Sequence, residues 1–220
     1  MASITTEDYL KIIYNETKEF GRAITTSRLA ERLKISNAAI SDMAKKLAQQ
    51  GLVSYTKYKG MELTRKGEKI ALNVIRRHRL WEAFLLKSLG LSLSEVHHIA
   101  ENLEHHSPDI LIEKIDEYLG FPSFDPHGHP IPKHNGEMPK INGVIALSKA
   151  DVGGKYKVAI IDDASKELMN FFEKIGIILH KTIKVKEKLS FDNSVTVEVD
   201  KKDFTLSEKM TENLFLIKEA

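Results

Sequence analysis

The 220-residue sequence contains no cysteine. That excludes disulfide staples and thiolate metal sites, so a metal here must be held by carboxylate, imidazole, amide or water, a donor set that favours harder ions such as Mn²⁺ or Fe²⁺. Long apolar runs are also missing. No stretch approaches the roughly 18–20 residues of a membrane helix, and the polar opening MASITTEDYL lacks the apolar stretch of a secretory signal. A cytoplasmic protein with no membrane partner is therefore expected. Proline is scarce and unevenly placed: five of the six prolines fall within residues 121–140 and the other is Pro108. Elsewhere, helices and strands are free of proline's missing N–H and fixed φ. At 42% hydrophobic residues, the chain has enough apolar surface for ordinary cores and is not disordered.

Net charge is small, +2, but lopsided. Residues 1–66 carry 12 Lys or Arg against 7 Asp or Glu, leaving +5, while the remaining 21 against 24 leave −3. A basic N-terminal third suits a polyanionic partner, although a solvated face alone also gives such an excess.

Within that third, Tyr9, Ile12 and Ile13 fall at helical spacing and Gly21 ends the pattern, so a first helix of about twelve residues is expected. In TTSRLAERLKISNAAISDMAKKLAQQG, Thr25 or Thr26 caps a short helix that turns Leu29, Ala30 and Leu33 inward. Ser36 caps a second, with Ile40, Met43 and Leu47 on one face and Gly51 closing it. Two short helices joined by a tight turn are the helix-turn-helix pattern. The strand-like runs LVSY and MELT follow, separated by TKYKG, whose Gly60 can supply a positive φ. This reads as a wing carrying Lys57, Tyr58 and Lys59, a composition suited to a phosphate backbone.

From Thr64 a long helical run extends through RKGEKIALNVIRRHRLWEAFLLKSLG. Ser92 and Glu95 form a capping box for the next helix, and Ser107 and Pro108 stand as N-cap and first residue of another that Gly120 stops. The Pro-rich segment after it reads as a linker. Beyond it come short alternating runs, KYKVAII, TIKVKE, SVTVEV, DFTL and LFLI, with one helical insertion around KELMNFFEKIG. The expected fold is mainly α with β: a winged helix-turn-helix over 1–64, a helical unit over 65–120, a linker over 121–143, and a small β-barrel over 144–220.

The chemistry concentrates in HHIAENLEHH, where His97, Glu101, Glu104 and His105 stand at relative positions that share one helix face. Such a stripe ordinarily meets water. Here, however, His78 and Glu82, four residues apart, lie among Trp, Phe and Leu on the preceding helix. Clustered carboxylates and imidazoles between helices need a cation to offset their repulsion. His98 and His106 fall off the stripe and read as surface residues. His127, His129 and His134 fall in the linker, where only adventitious metal binding is expected.

TTEDYL, SRLAERLKIS, AISDMAKKLAQQGLV, GMELTRKGEKIA, RRHRLWEAFL and DPHGHPIP, in this order along nearly the whole chain, resemble the diphtheria toxin repressor family, including its manganese-responsive branch. The resemblance implies a homodimeric transcriptional repressor that binds double-stranded operator DNA with a metal ion as corepressor, uses no small-molecule substrate, and is not an enzyme. The resemblance also implies a C-terminal SH3-like barrel, and the last third is similar to its FeoA-type version. The resemblance puts Asp8, Glu101, Glu104 and His105 at a regulatory metal site and His78, Glu82 and His97 at an ancillary one, with a further barrel ligand expected at Asp163, or behind it Glu167. Asp8 and Glu101 stand where iron-responsive members have methionine and cysteine, which favours Mn²⁺ over Fe²⁺. Lys11 stands where manganese sensors add an acidic ligand, which counts against a binuclear manganese centre there. DNA contacts are expected from Ser36, Asn37, Ala38, Ala39, Ser41 and Asp42, with Lys45, Lys46, Lys57 and Lys59 toward phosphate. The competing readings are a helical di-metal enzyme and a metal-buffering module.

Overall fold

Ser3 starts the first helix earlier than apolar spacing alone suggests. In this computed structural model, which describes residues 3–21, 23–57, 59–162 and 165–219, helix α1 (Ile4–Phe20) has 17 residues rather than about twelve. The Ser3 hydroxyl accepts from the Thr6 N–H at 3.3 Å, and Gly21 closes the helix at φ 63°. Helix α2 (Thr26–Leu33) is capped by Thr25 and α3 (Asn37–Gln49) by Ser36, whose Oγ accepts from the Ala39 N–H at 3.2 Å. The apolar stripes face inward: Leu29, Ala30, Ile40, Ala44 and Leu47 are buried. On α1 the buried Glu16 pairs with Arg28 at 2.8 Å and Arg32 at 3.4 Å, tying α1 to α2.

Strands β1 (Val53–Thr56) and β2 (Gly60–Leu63) form the antiparallel wing hairpin, with Thr56 opposite Gly60. Ile24 adds a bridge on the other side of β2, donating to Met61 O at 3.0 Å and accepting from Met61 N at 2.8 Å. Gly60 has φ 104°, and a Cβ there would stand 2.5 Å from Ile24 O. Glycine is therefore required both by the turn and by this close approach. Tyr58 lies outside the described residues.

Two compact units emerge, residues 1–77 with 132–137 and residues 78–131 with 138–220. Helix α4 (Arg65–Leu89) contributes to the first unit through Arg77 and to the second from His78. Within the second unit, α5 (Leu93–Leu103) packs on the barrel: Leu93 lies against the barrel core. The Pro-rich segment is not a loose tether either, since Asp125, His127 and Ile131 are buried and Ile131 joins a core with Leu80, Ala83, Ile112, Ile115 and Leu119.

The capping box of α5 forms as expected, with the Ser92 N–H donating to Glu95 Oε2 at 2.9 Å. At α6 (Asp109–Leu119) the start is shifted by one residue. Pro108 is the N-cap, while buried Ser107 accepts from Trp81 Nε1 at 2.7 Å and donates to Leu103 O at 2.6 Å. A partly buried indole N–H needs a partner, and that need takes the serine away from the cap.

The barrel is a six-stranded antiparallel sheet. Its strands are β3 (Val144–Ala146), β4 (Lys155–Ile161), β5 (Thr182–Lys188), β6 (Val195–Val199), β7 (Lys202–Leu206) and β8 (Leu214–Lys218), ordered β3-β8-β4-β5-β6-β7. Alternate residues such as Val195, Val197 and Val199 point into a core shared with Met169 and Phe172 of α7 (Lys166–Lys174). A short α8 (Glu208–Glu212) precedes β8.

Candidate metal centre

Helices α4 and α5 bring their ionisable residues together. His78 and Glu82 are one turn apart on α4 and both buried, and His97 is on α5. His78 Nε2, Glu82 Oε1 and His97 Nδ1 form a nearly equilateral triangle with edges of 3.1, 3.2 and 3.3 Å. Three ligands at about 2.1 Å from a single ion stand about 3.0 Å apart in octahedral and about 3.4 Å apart in tetrahedral geometry. The triangle thus fits a divalent ion, and its oxygen-and-imidazole chemistry suits Mn²⁺, Fe²⁺ or Zn²⁺.

The second set is linked to the first rather than separate from it. His78 Nδ1 stands 2.5 Å from Glu104 Oε2, and His105 Nε2 stands 3.3 Å from Glu104 Oε1. A His78 that donates from Nδ1 to Glu104 keeps its Nε2 lone pair for the triangle, the arrangement by which a neighbouring carboxylate fixes a ligand's tautomer and orientation. Glu101 stands half exposed, its Oε1 3.5 Å from His97 Nε2. Asp8 is a partly buried residue of α1 in the first unit. Asp163 lies outside the described residues, and Glu167, fully exposed, accepts from its own helix cap, Ser165, at 2.6 Å.

Two residues absent from the expected site join it. His127 is fully buried with Nδ1 3.5 Å from Glu82 Oε2, and buried Asp125 lies beside it. One donor atom from each of Glu82, Asp125 and His127 falls within 4.8 Å of the others. Burial pushes the Glu82 carboxyl upward, but hydrogen-bonding interactions with His127, His78 and His97 and the charge of His78 outweigh it and hold the group well below its ordinary range. The signal for them was DPHG itself, since an Asp followed two residues later by a glycine-flanked His suits a tight turn that presents its imidazole. Helices α5 and α7 flank a cavity of about 460 Å³ whose lining includes His97, His98, Lys166 and Met169.

In the first unit, Ser36, Asn37, Ala38 and Ala39 at the start of α3 are exposed, as are Asp42, Lys45, Lys46, Lys57 and Lys59. Ser41, partly buried, donates to Asn37 O at 2.8 Å, and Lys45 pairs with Asp42 at 3.1 Å. Small exposed residues at a helix start let a backbone approach a groove closely.

A winged helix-turn-helix joined to a helical layer with an imidazole–carboxylate cluster and a small barrel defines a class of multidomain winged-helix proteins. Residues 1–61 match the iron dependent repressor N-terminal DNA binding domain, 64–133 the iron dependent repressor metal binding and dimerisation domain, and 145–218 the FeoA domain. The iron-dependent repressor IdeR of Mycobacterium leprae is 36% identical over 128 residues, 58% of this chain and 55% of that protein. The chain thus spans about half the length of such curated relatives. An uncharacterized HTH-type transcriptional regulator of Methanocaldococcus jannaschii is 38% identical over 113 residues, 51% of this chain and 90% of that protein. Among solved structures, a manganese-dependent transcriptional repressor in complex with manganese superposes with a TM-score of 0.88 at 34% identity, covering 97% of this chain and 100% of that one. The chain belongs to the iron-dependent repressor family of metal-dependent transcriptional repressors.

Proposed function

We propose that this protein is a homodimeric, cytoplasmic repressor that binds operator DNA when Mn²⁺ or Fe²⁺ occupies its helical layer. The observation that carries the reading is the buried triangle of His78 Nε2, Glu82 Oε1 and His97 Nδ1, with edges of 3.1–3.3 Å, in a chain whose α3 and wing expose small and basic residues. Glu104 and His105, linked to that triangle through His78, form a regulatory site with Asp8 and Glu101, and Asp163 is the barrel ligand to the ancillary site. Asp8 belongs to the helix that opens the DNA-binding domain, so an ion held by Asp8, Glu104 and His105 neutralises clustered carboxylates and restricts the freedom of the DNA heads before they meet two half-sites. Mn²⁺ is favoured over Fe²⁺ because the donors are oxygen and imidazole.

The homodimer forms through residues 65–120. Ile110, Leu111, Tyr118 and Phe121 on and just after α6 are 63%, 41%, 67% and 69% exposed, a patch that a monomer would leave in water. No helix among the described residues is long and apolar enough to cross a membrane.

The test starts from chelated protein and a duplex selected from a random pool in the presence of Mn²⁺. Titration with Mn²⁺, Fe²⁺ and Zn²⁺ should raise affinity for that duplex, and Glu104→Gln should abolish the rise while leaving folding and dimerisation intact. A Glu104→Gln protein that responds to metal as the wild type does would refute the regulatory site.

A further inference from the structure

Helix α3 buries one face and exposes the other. Ile40, Ala44 and Leu47 are buried. Asp42 lies two residues from both Ile40 and Ala44, so it stands about 200° round the helix from each, opposite the buried stripe. Ala38, one turn before it, and Lys45, one turn after it, share its face and are exposed as it is.

This stretch of α3 turns acceptors outward and no side-chain donor. Ala38 and Ala39 end in methyl groups. Ser41 spends its hydroxyl hydrogen on Asn37 O at 2.8 Å, which leaves it only oxygen lone pairs for a further partner. The Asp42 carboxylate accepts only. A carboxylate alone would repel phosphates, but Lys45 Nζ stands 3.1 Å from Asp42 Oδ1, so the pair meets a groove without net charge. Residues 1–66, Asp42 included, still carry 12 Lys or Arg against 7 Asp or Glu. The unit as a whole therefore keeps its attraction for a polyanion.

We propose that Asp42 is a specificity-determining residue whose carboxylate accepts from the N4 amino group of a cytosine in the major groove, one in each half-site of the operator. The proposal rests on the reading of α3 as the helix that enters the groove. Cytosine is the base whose major-groove edge carries a donor and no acceptor. Adenine sets N7 beside its N6 amino group, thymine presents O4, and guanine presents N7 and O6. Inverting the C·G pair therefore brings two acceptors against the carboxylate, a repulsion that a side chain pointing into solvent would not register.

The test selects duplexes from a random pool with full-length wild type, Asp42→Asn and Asp42→Ala, each in excess Mn²⁺. The Asp42 side chain is 77% exposed, so both variants should fold, as thermal unfolding would show. The wild-type motif should hold a cytosine at one position of each half-site. Asp42→Asn should replace it by adenine, whose N6 and N7 pair with a carboxamide, and Asp42→Ala should lose the preference. In titrations, inverting that C·G pair should weaken wild-type binding about 5-fold or more and leave Asp42→Ala binding little changed. The rest of the motif should be common to all three proteins, which separates a base contact from a general change of charge. An unchanged motif in both variants would overturn the proposal alone and leave Asp42 as the partner of Lys45 on a solvated face. A wild-type protein that enriches no motif would overturn the reading of α3 as well.

Discussion

Replacing Glu82 with Gln keeps the volume of a fully buried side chain but removes the charge that meets His78 at 3.1 Å and His97 at 3.2 Å. Charge-assisted contacts of this kind contribute about 1.5–3 kcal/mol each, so losing the charged ligand should weaken Mn²⁺ binding by about 100-fold, equivalent to about 2.7 kcal/mol at fixed metal concentration. For a chain of this size that corresponds to about 5–11 °C less metal-induced gain in Tm. The assay is thermal unfolding of wild type and Glu82→Gln, each chelated and each in excess Mn²⁺. Comparing the metal-induced shifts rather than the Tm values removes the cost of the substitution to the metal-free protein. An unreduced shift in Glu82→Gln would refute the argument that Glu82 contacts the bound ion.

Other expectations follow from the same structure. Lys57→Ala and Lys59→Ala should each weaken binding to all duplexes and reduce the salt slope by about 0.9, read from affinity across a salt series, with base preference kept. Ile110→Asp combined with Tyr118→Asp should turn a dimer into a monomer at micromolar concentration, measured by sedimentation, because both residues belong to the exposed apolar patch at α6. Because the Glu82 carboxyl is held below its ordinary range, its contribution to stability is present above about pH 4.3 and lost as pH falls through the lowered folded value. Urea unfolding of chelated protein should therefore show the gap between wild type and Glu82→Gln shrinking from pH 7 to pH 3.5, and a constant gap would contradict it. Gly128→Ala should destabilise by at least about 2 kcal/mol in the same assay, since its Cβ meets Ala159 O at 2.0 Å in a positive-φ position.

Where local rules decide, sequence and structure agree. Thr25, Ser36 and Ser92 cap the helices their positions suggest, and strict alternation in SVTVEV puts Val195, Val197 and Val199 in the barrel core. The i, i+4 spacing of His78 and Glu82 likewise shows in the triangle. Where tertiary demands compete, local rules fall short. Ser107 leaves the cap of α6 because the Trp81 indole needs an acceptor, and α1 gains a turn because Ser3 caps it before any apolar residue marks its start. Helical spacing relates residues within one helix only, so the contact of His78 with Glu104, 26 positions away, had no sequence signature. His127 was hidden for a different reason. Proline and glycine around it read as a linker, yet Asp125 bonds the loop back on itself and Gly128 lets it lie against β4, which buries the imidazole that the composition assigned to solvent.

The central claim is that metal binding and DNA binding share one free energy. Linkage requires that whatever factor Mn²⁺ adds to DNA affinity, DNA adds to Mn²⁺ affinity, typically about 5- to 150-fold. Calorimetric titration of Mn²⁺ into chelated protein with and without the selected duplex measures that factor from the metal side. The account predicts that saturating duplex tightens Mn²⁺ binding by the same factor by which Mn²⁺ tightens the duplex, and that Glu104→Gln erases it. Equal Mn²⁺ affinity in the presence and absence of duplex would contradict the account.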